Sequence, residues 1–273
     1  MTHVVTLGET MALLSTPEIG LLRHANTMRV SVGGAESNLA IGLARLGKRV
    51  SWIGRVGDDE FGALVRRTLA AEGVDGRVRV DPGAPTGLMV KYRRTGTTTQ
   101  VLYYRKGSAG SRLEPTDLDR DLIHGARVKL WSAEEAGRAL AILVAHADVV
   151  FATEPEARLL VSGETPAELG LALAGFGPKQ VVIKRGARGA VAVIGGEVLV
   201  VPAHEVIEVD PVGAGDAFAA GYLSTLLDGG DPAGCLATGA LAGAYTVTVP
   251  GDWEGLPFPA DLELLQAADG VVR

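Results

Sequence analysis

The sequence predicts an α/β fold with a mainly parallel sheet. Short apolar segments typical of strands alternate along the chain with longer segments that have the periodicity of amphipathic helices. Glycine accounts for 37 of the 273 residues and is spread along the chain, so it marks the ends of elements and forms no linker. Strands that alternate with helices indicate parallel pairing, because a crossover between parallel strands usually contains a helix.

The N-terminal half alternates in this way, with one exception. The helix predicted at residues 35–47 carries leucines at helical spacing and ends at Gly47, and a second helix at 59–73 also closes on a glycine. Residues 86–105 are the exception, because they are typical of two strands joined by a tight Thr-Gly turn. We expect this antiparallel hairpin to form a lid at one edge. Further strands are predicted at residues 4–9, 28–33 and 49–57.

The C-terminal half adds a second hairpin and two long helices. The hairpin spans 189–203 and turns at Gly195-Gly196. The helices span 213–230 and 232–248, and the small residues of the second one predict close packing. A helix at 133–147 and strands at 148–152 and 179–186 complete the prediction.

Composition excludes several classes of partner. The 26 basic and 32 acidic residues give a net charge of −6 with no long run of like charge, which disfavours nucleic-acid binding. No apolar run reaches the ~18 residues that a membrane span needs. Cys235 is the one cysteine, so no internal disulfide can form, and the N-terminus does not have the pattern of a secretory signal. We therefore expect a soluble cytoplasmic protein.

The stretch DPVGAGDAFAAGYL (210–223) carries the strongest chemical signal. A strand leads through a glycine-rich turn into a helix, and the uncovered N–H groups of Gly213, Ala214 and Gly215 together with the helix dipole favour an anion. Asp216 follows directly, where a carboxylate could take a proton from a hydroxyl that attacks a phosphate. The alternative is an ordinary acidic residue at a helix N-terminus, where the dipole favours negative charge.

Two other phosphate-binding motifs do not fit. In a dinucleotide fingerprint the last glycine or alanine position would be Phe218, and Asp216 would face the pyrophosphate. The stretch GLARLGKR resembles a Walker A loop but ends in Arg49 where a Mg²⁺-binding hydroxyl is required.

Two stretches together resemble the signatures of the ribokinase-like (PfkB) carbohydrate kinases. They are VGGAESNLAIGLARLGKRVSWIGRVGDDEFG (32–62) and DPVGAGDAFAAGYL (210–223). YYRKGSAGSRL, KLWS and PGDWEG are similar to segments of the subgroup that acts on 2-keto-3-deoxygluconate. The resemblance implies one kinase domain over residues 1–273. It would be a three-layer α/β/α sandwich with a small β lid built from about 9–32 and 86–105.

The resemblance also implies a sugar-acid substrate and the residues that bind it. Gly34 and Asn38 would hold sugar hydroxyls, Tyr103 and Arg105 would contact the substrate, and Asp252 would add a late contact. The paired N–H donors of the Arg105 guanidinium would bind a carboxylate or keto oxygen. The alternatives are a polar residue inside a helix for Asn38, a solvated strand end for Tyr103 and Arg105, and an exposed loop acid for Asp252.

On the nucleotide side, the resemblance implies ATP, Mg²⁺ and a monovalent cation. Asp216 would be the general base, and Glu156 in TEPE would organise Mg²⁺ through water or phosphate, with Thr153 in place of the family's asparagine. Asp210 would place a cation. The segment KRGARG (184–189) would line the nucleotide site with Lys184, Gly186 and Gly189, and the anion hole would supply Gly213 and Gly215. The alternatives are a helix start for Glu156, a turn cap for Asp210 and a strand-to-strand turn for 184–189.

The chain departs from the family pattern at one junction. A strand–helix–strand unit of roughly 30 residues, ending in the D-x-N-x-R motif, would stand between Val128 and Lys129, which here are consecutive. A smaller departure is Met89, where relatives often carry an aromatic residue. A second hypothesis is therefore an inactive homologue that binds nucleotide or a partner, and a third is a fructokinase or ribokinase-type enzyme. The lid strands of such folds often pair between subunits, so a homodimer is a further expectation.

Overall fold

The computed structural model describes residues 3–95, 98–118, 129–131 and 144–266. They fall into two compact units. The first comprises Met1–Ala44 and Lys48–Trp131, and the second comprises Arg45–Gly47 and Ser132–Arg273.

A parallel sheet with strand order β5-β4-β1-β8 lies in the first unit. β4 is buried along nearly its whole length, as expected for a central strand with an apolar sequence. Helix α2 begins where the Asp59 side chain accepts a hydrogen bond of 2.7 Å from the Gly62 N–H. The elements are β1 (His3–Leu7), α1 (Ala35–Arg45), β4 (Arg49–Gly57), α2 (Glu60–Ala71), β5 (Asp75–Asp81) and β8 (Lys129–Trp131).

β5 is a strand that its composition does not predict. It contains a glycine and several charged residues, and it forms through parallel pairing with β4 along seven residues. Its alternating charges suit its place at the edge of the sheet, since charged side chains discourage pairing with another chain.

A second sheet in the first unit has strand order β3-β2-β6-β7. The hairpin predicted at 86–105 is confirmed, because β6 and β7 pair in antiparallel register. Met11, Leu13 and Met89 are buried together on one face, so Met89 is a core residue of this sheet. That this sheet acts as a lid stays a prediction. Its strands are β2 (Met11–Ile19), β3 (Arg29–Gly33), β6 (Leu88–Thr95) and β7 (Thr98–Tyr104).

The second unit contains a mixed sheet with strand order β12-β11-β10-β9. Only the β9–β10 pair is parallel. The predicted hairpin turn is confirmed at Gly195-Gly196, whose φ angles of +60° and +88° are those that a two-residue turn requires. The strands are β9 (Val149–Thr153), β10 (Gln180–Lys184), β11 (Ala190–Ile194) and β12 (Glu197–Val201).

Helices complete the second unit. The close packing predicted for the small-residue helix is confirmed, because a side chain at Gly221 of α5 would collide with the Thr238 carbonyl of α6. No helix of the described residues is long and apolar enough to cross a membrane. The helices are α3 (Glu154–Ala157), α4 (Pro166–Ala174), α5 (Ala214–Leu227), α6 (Pro232–Thr246) and α7 (Pro259–Gln266).

The junction of Val128 with Lys129 lies at the border of the described residues. Val128 is outside them, as is most of the helix predicted at 133–147, whereas Lys129–Trp131 forms β8 beside β1. In their own sheets β8 and β9 are both edge strands. The missing strand–helix–strand unit stays a prediction.

A buried ion cluster fixes the end of β4 in the first unit. The Arg55 guanidinium, whose side chain is 8% exposed, donates to both carboxylate oxygens of Asp117 at 3.0 Å and to Glu114 at 2.8 Å. Burial alone would raise the pKa of the Asp117 carboxyl, but hydrogen bonds from Arg55, the Glu114 N–H and Arg79 lower it. Asp117 is therefore a charged group whose partners surround it in the folded chain.

We expect Asp117→Asn to lower the free energy of unfolding by about 3 kcal/mol at pH 7, because it leaves Arg55 buried without its main partner. The folded-state pKa of Asp117 is lowered, so its contribution is fully present above the unfolded pKa of ~3.9 and is lost as pH falls through the folded value. Urea unfolding from pH 7 down to pH 3 measures both effects.

The control is Arg77→Gln, which removes a half-exposed ion pair with Asp75 and should cost less than about 1 kcal/mol. Equal losses in the two variants, or a loss from Asp117→Asn that does not shrink at low pH, would contradict the assignment.

Candidate active site

The turn from Asp210 to Asp216, called here the 210–216 turn, leads into helix α5. Gly213 is the N-cap residue, with φ of +83° in the left-handed region. Asp216 lies in the first turn of the helix and is half-buried. Within the described part of the chain, no acceptor lies against the N–H of Gly213 or of Gly215. The N–H of Ala214, which was predicted to be open, instead donates to the Pro211 carbonyl oxygen at 3.4 Å. The turn therefore presents open amide donors beside a carboxylate, at the positive end of a helix dipole.

Asp210 holds this turn from inside. It is buried, and its carboxylate accepts hydrogen bonds of 3.2 Å from the N–H of Val212 and from the N–H of Gly251. These contacts fit the alternative of a turn cap. The predicted role of Asp210 at a cation stays a prediction.

The segment Pro250–Gly255 packs against the turn. Asp252 is 5% exposed, so it is not the exposed loop acid of the alternative interpretation. Its carbonyl oxygen occupies the space where a side chain at Gly213 would begin. Gly213 is thus required both by its backbone conformation and by its neighbour.

Lys184 brings a positive charge to the turn. It ends strand β10, and its Nζ lies 3.5 Å from the Gly215 carbonyl oxygen. The following residues form a tight connection to β11, in which Gly186 and Gly189 have φ angles of +56° and +78°. A side chain at Gly189 would collide with the Val201 carbonyl, so this segment serves as a strand-to-strand turn. Lys184 thus contacts the 210–216 turn, while Gly186 and Gly189 shape the connection between β10 and β11.

Glu156 forms a helix cap. Its carboxylate accepts a 2.7 Å hydrogen bond from the Thr153 N–H, and the Thr153 hydroxyl accepts one of 3.4 Å from the Glu156 N–H. This reciprocal pair is the capping box that the helix-start alternative requires. Among the described residues, no group of three or more His, Cys, Asp or Glu side chains is arranged to hold a metal ion. The role of Glu156 towards Mg²⁺ stays a prediction.

The neighbouring Glu154 is enclosed by arginines. Burial alone would raise the pKa of its carboxyl, but the hydrogen bond from Arg185 and the charges of Arg188 and Arg158 lower it. This cluster places three guanidinium groups at the end of β9 and the start of the 185–189 turn.

Four of the five predicted substrate-binding residues lie in the first unit, where Glu9 joins two of them, whereas Asp252 lies in the second. The Arg105 guanidinium binds the buried Glu9 carboxylate through Nε and Nη2, both at 2.7 Å. The Glu9 carbonyl oxygen would lie 2.5 Å from a side-chain carbon at Gly34, and Asn38 is buried one turn further along α1. Tyr103 is 58% exposed. The Arg105 guanidinium therefore binds Glu9, while 32% of its side chain stays exposed.

Glu9 is a residue that the sequence analysis missed. Its other oxygen accepts a hydrogen bond of 2.5 Å from the Ser108 hydroxyl, and Gly87 and Gly110 leave room for its side chain. The available signal was the position of Glu9 two residues after the apolar strand β1, since polar residues at the carboxyl ends of parallel strands often serve a site.

Comparison with known proteins gives a family match. The model for pfkB family carbohydrate kinases matches residues 1–133 and 124–259. The 2-dehydro-3-deoxygluconokinase of Thermoproteus tenax is 33% identical, over 98% of this chain and 95% of that protein. The 2-dehydro-3-deoxygalactonokinase of Haloferax volcanii is 32% identical, with 92% of each chain covered. A fructokinase of Klebsiella pneumoniae is 31% identical over 85% of this chain and 90% of its own.

Solved structures confirm the ribokinase-like α/β fold. A PfkB protein from Polaromonas sp. JS666 has a TM-score of 0.83 and 32% identity, with 96% of this chain and 99% of that chain covered. A candidate Ribokinase II from E. coli, in complex with ATP and Mg²⁺, has a TM-score of 0.90 over 97% of this chain and 99% of that chain. Its 24% identity supports the fold alone.

Two features of these matches concern the junction of Val128 with Lys129. The alignment with the T. tenax kinase extends over 309 residues, more than the 273 of this chain, so this chain lacks positions that the relative has. The two stretches of the family match meet at residues 124–133, around Val128 and Lys129. That the absent positions form a strand–helix–strand unit stays a prediction.

We expect Gly213→Ala to weaken Mg-ATP binding at least about tenfold and to destabilise the chain by about 1–2 kcal/mol, because the new methyl group meets the Asp252 carbonyl in a left-handed conformation. Calorimetric titration with Mg-ATP and urea unfolding measure the two effects.

Gly229→Ala is the matched control, since Gly229 has the same φ of +83° but open space around it. It should lose stability and keep its ATP affinity. An unchanged affinity in Gly213→Ala would show that the 210–216 turn is not the phosphate site.

Proposed function

Since this chain belongs to the PfkB family of carbohydrate kinases, we propose that it transfers the γ-phosphoryl group of ATP to the 6-hydroxyl of 2-keto-3-deoxygluconate. The observation that carries the proposal is the position of Asp216, directly after the open amides of Gly213 and Gly215. Phosphoryl transfer depends on such an arrangement of a base and fixed donors.

The described residues fit a nucleotide's phosphates. The N–H groups of Gly213 and Gly215, the dipole of α5 and the Lys184 ammonium all favour negative charge at the 210–216 turn. Mg²⁺ commonly uses one or two carboxylates plus substrate phosphates, so it needs no acidic cluster of its own. Glu156 would join it through water or phosphate. Mg²⁺ would neutralise charge on the transferred group.

In the proposed reaction, Asp216 accepts the proton of the attacking sugar hydroxyl. The hydroxyl oxygen forms a bond to the γ-phosphorus while the bond from that phosphorus to the bridging oxygen breaks, and ADP leaves. The amides of Gly213 and Gly215 donate to the charge that develops on the transferred group. Because these donors are fixed by the backbone, they need not reorganise during the reaction.

The position of Arg105 supports the proposal of a sugar acid over a neutral sugar. Arg105 is held by Glu9 and Glu9 by Ser108, which fixes one edge of the guanidinium and orients the rest of the group. Relatives named for dehydro-deoxy sugar acids match 92–98% of this chain. A monovalent cation at Asp210 and a homodimer are further parts of the proposal that await a test.

We expect Asp216→Asn to lower turnover by at least about 100-fold, because it removes the base. The Kd for Mg-ATP should stay within about threefold. ADP release with Mg-ATP and 2-keto-3-deoxygluconate measures turnover, and calorimetry measures binding.

The matched control is Asp231→Asn, which changes an exposed acidic N-cap residue of α6 and should leave turnover unaltered. Retained turnover in Asp216→Asn would contradict the assignment of the base. A folded native chain that binds Mg-ATP and turns over no sugar would favour the binding homologue instead.

We expect Glu9→Gln to raise the KM for 2-keto-3-deoxygluconate about tenfold while the KM for ATP stays constant. Glutamine has the size of glutamate but lacks the negative charge that binds Arg105. The control is Glu60→Gln, which changes an exposed acidic residue in the first turn of α2. An equal change in both KM values would show that Glu9 supports only the fold, and a higher native kcat/KM for fructose would overturn the substrate.

A further inference from the structure

Arg45 binds the segment that follows the 210–216 turn in space. It is the last residue of α1 and belongs to the second unit. Its Nη1 lies 2.5 Å from the carbonyl oxygen of Leu256, 3.2 Å from that of Glu254 and 3.4 Å from that of Trp253. The guanidinium carbon also lies 4.8 Å from the centre of the Phe258 ring and 5.2 Å from that of Trp253. One side chain therefore holds the backbone of 253–256 and two aromatic rings.

Hydrogen bonds continue along this segment up to the point where it meets the turn. The Glu254 carboxylate accepts hydrogen bonds from the N–H groups of Asp252 at 2.8 Å and Trp253 at 3.2 Å. Gly251 donates to Asp210, and the Asp252 carbonyl packs on Gly213. A displacement of 253–256 would therefore disturb the contacts with Asp210 and Gly213, which hold the open amides in place.

We infer that Arg45 is a positioning residue for phosphoryl transfer. It acts through Pro250–Gly255 on Asp210 and Gly213, and so on the N–H groups of Gly213 and Gly215. The inference rests on the proposed function, since it assigns those amides to the transferred phosphoryl group. Misplacement of such donors by about 1 Å can cost about 100-fold in rate.

The contacts favour arginine over lysine at this position. A planar guanidinium can stack on rings while its N–H groups reach several carbonyls, whereas an ammonium concentrates its donors at one point on a flexible stem. Lysine keeps the charge and part of the attraction to the carbonyls. The kcat of Arg45→Lys should therefore lie between that of the native chain and that of Arg45→Gln.

The test compares Arg45→Gln and Arg45→Lys with Arg66→Gln, a control on the exposed face of α2. We expect kcat to fall about 100-fold in Arg45→Gln and about tenfold in Arg45→Lys, with the KM for the sugar acid unchanged. Amide hydrogen exchange should become at least about fivefold faster in peptides covering 210–217 and 249–256, and in the control it should stay at the native rate.

A kcat within about threefold of the native value in both Arg45 variants would overturn the inference, and so would unchanged exchange at 210–217. If Arg45→Gln does not fold, the Arg45→Lys values decide. If the native chain has no turnover, the proposed function fails, while the exchange rates at 210–217 still decide whether Arg45 holds the turn.

Discussion

At Gly213 the backbone takes a left-handed conformation, and the Asp252 carbonyl oxygen fills the space where any side chain would begin. The shape of the 210–216 turn in the second unit depends on this contact. The turn can direct amides outward because Asp210 binds it from inside and the 250–255 segment packs against it. A side chain at position 213 would push these supports apart, so glycine here sets the shape of the anion site.

In the first unit, Gly34 and Arg105 depend in the same way on one buried acid. Glu9 places its carboxylate on Arg105 and Ser108 and its carbonyl beside Gly34. A buried carboxylate is costly unless it is paired and hydrogen-bonded, and here both oxygens have partners. In each unit, therefore, a buried acid orients its neighbours: Asp210 binds the N–H groups of Val212 and Gly251, and Glu9 binds the Arg105 guanidinium.

Much of this arrangement was predictable from local pattern. Gly195-Gly196 and the 86–105 hairpin follow from turn chemistry, and the glycines before Asp216 follow from the needs of a helix N-terminus that binds an anion. The strand β5 was not predictable, because it forms by pairing with β4 and its own residues are mostly charged. Glu9 and Arg45 were missed for a related reason, since their roles come from partners about 100 and 200 residues away in the chain.

The central claim is that the amides of Gly213 and Gly215 receive the phosphates of ATP. The most direct measurement is the ¹⁵N–¹H spectrum of the labelled chain, titrated with Mg²⁺ and a non-hydrolysable ATP analogue. We expect the amide signals of Gly213 and Gly215 to shift most, with their protons moving downfield as amides that donate strong hydrogen bonds do. Shifts confined to residues outside the 210–216 turn would contradict it.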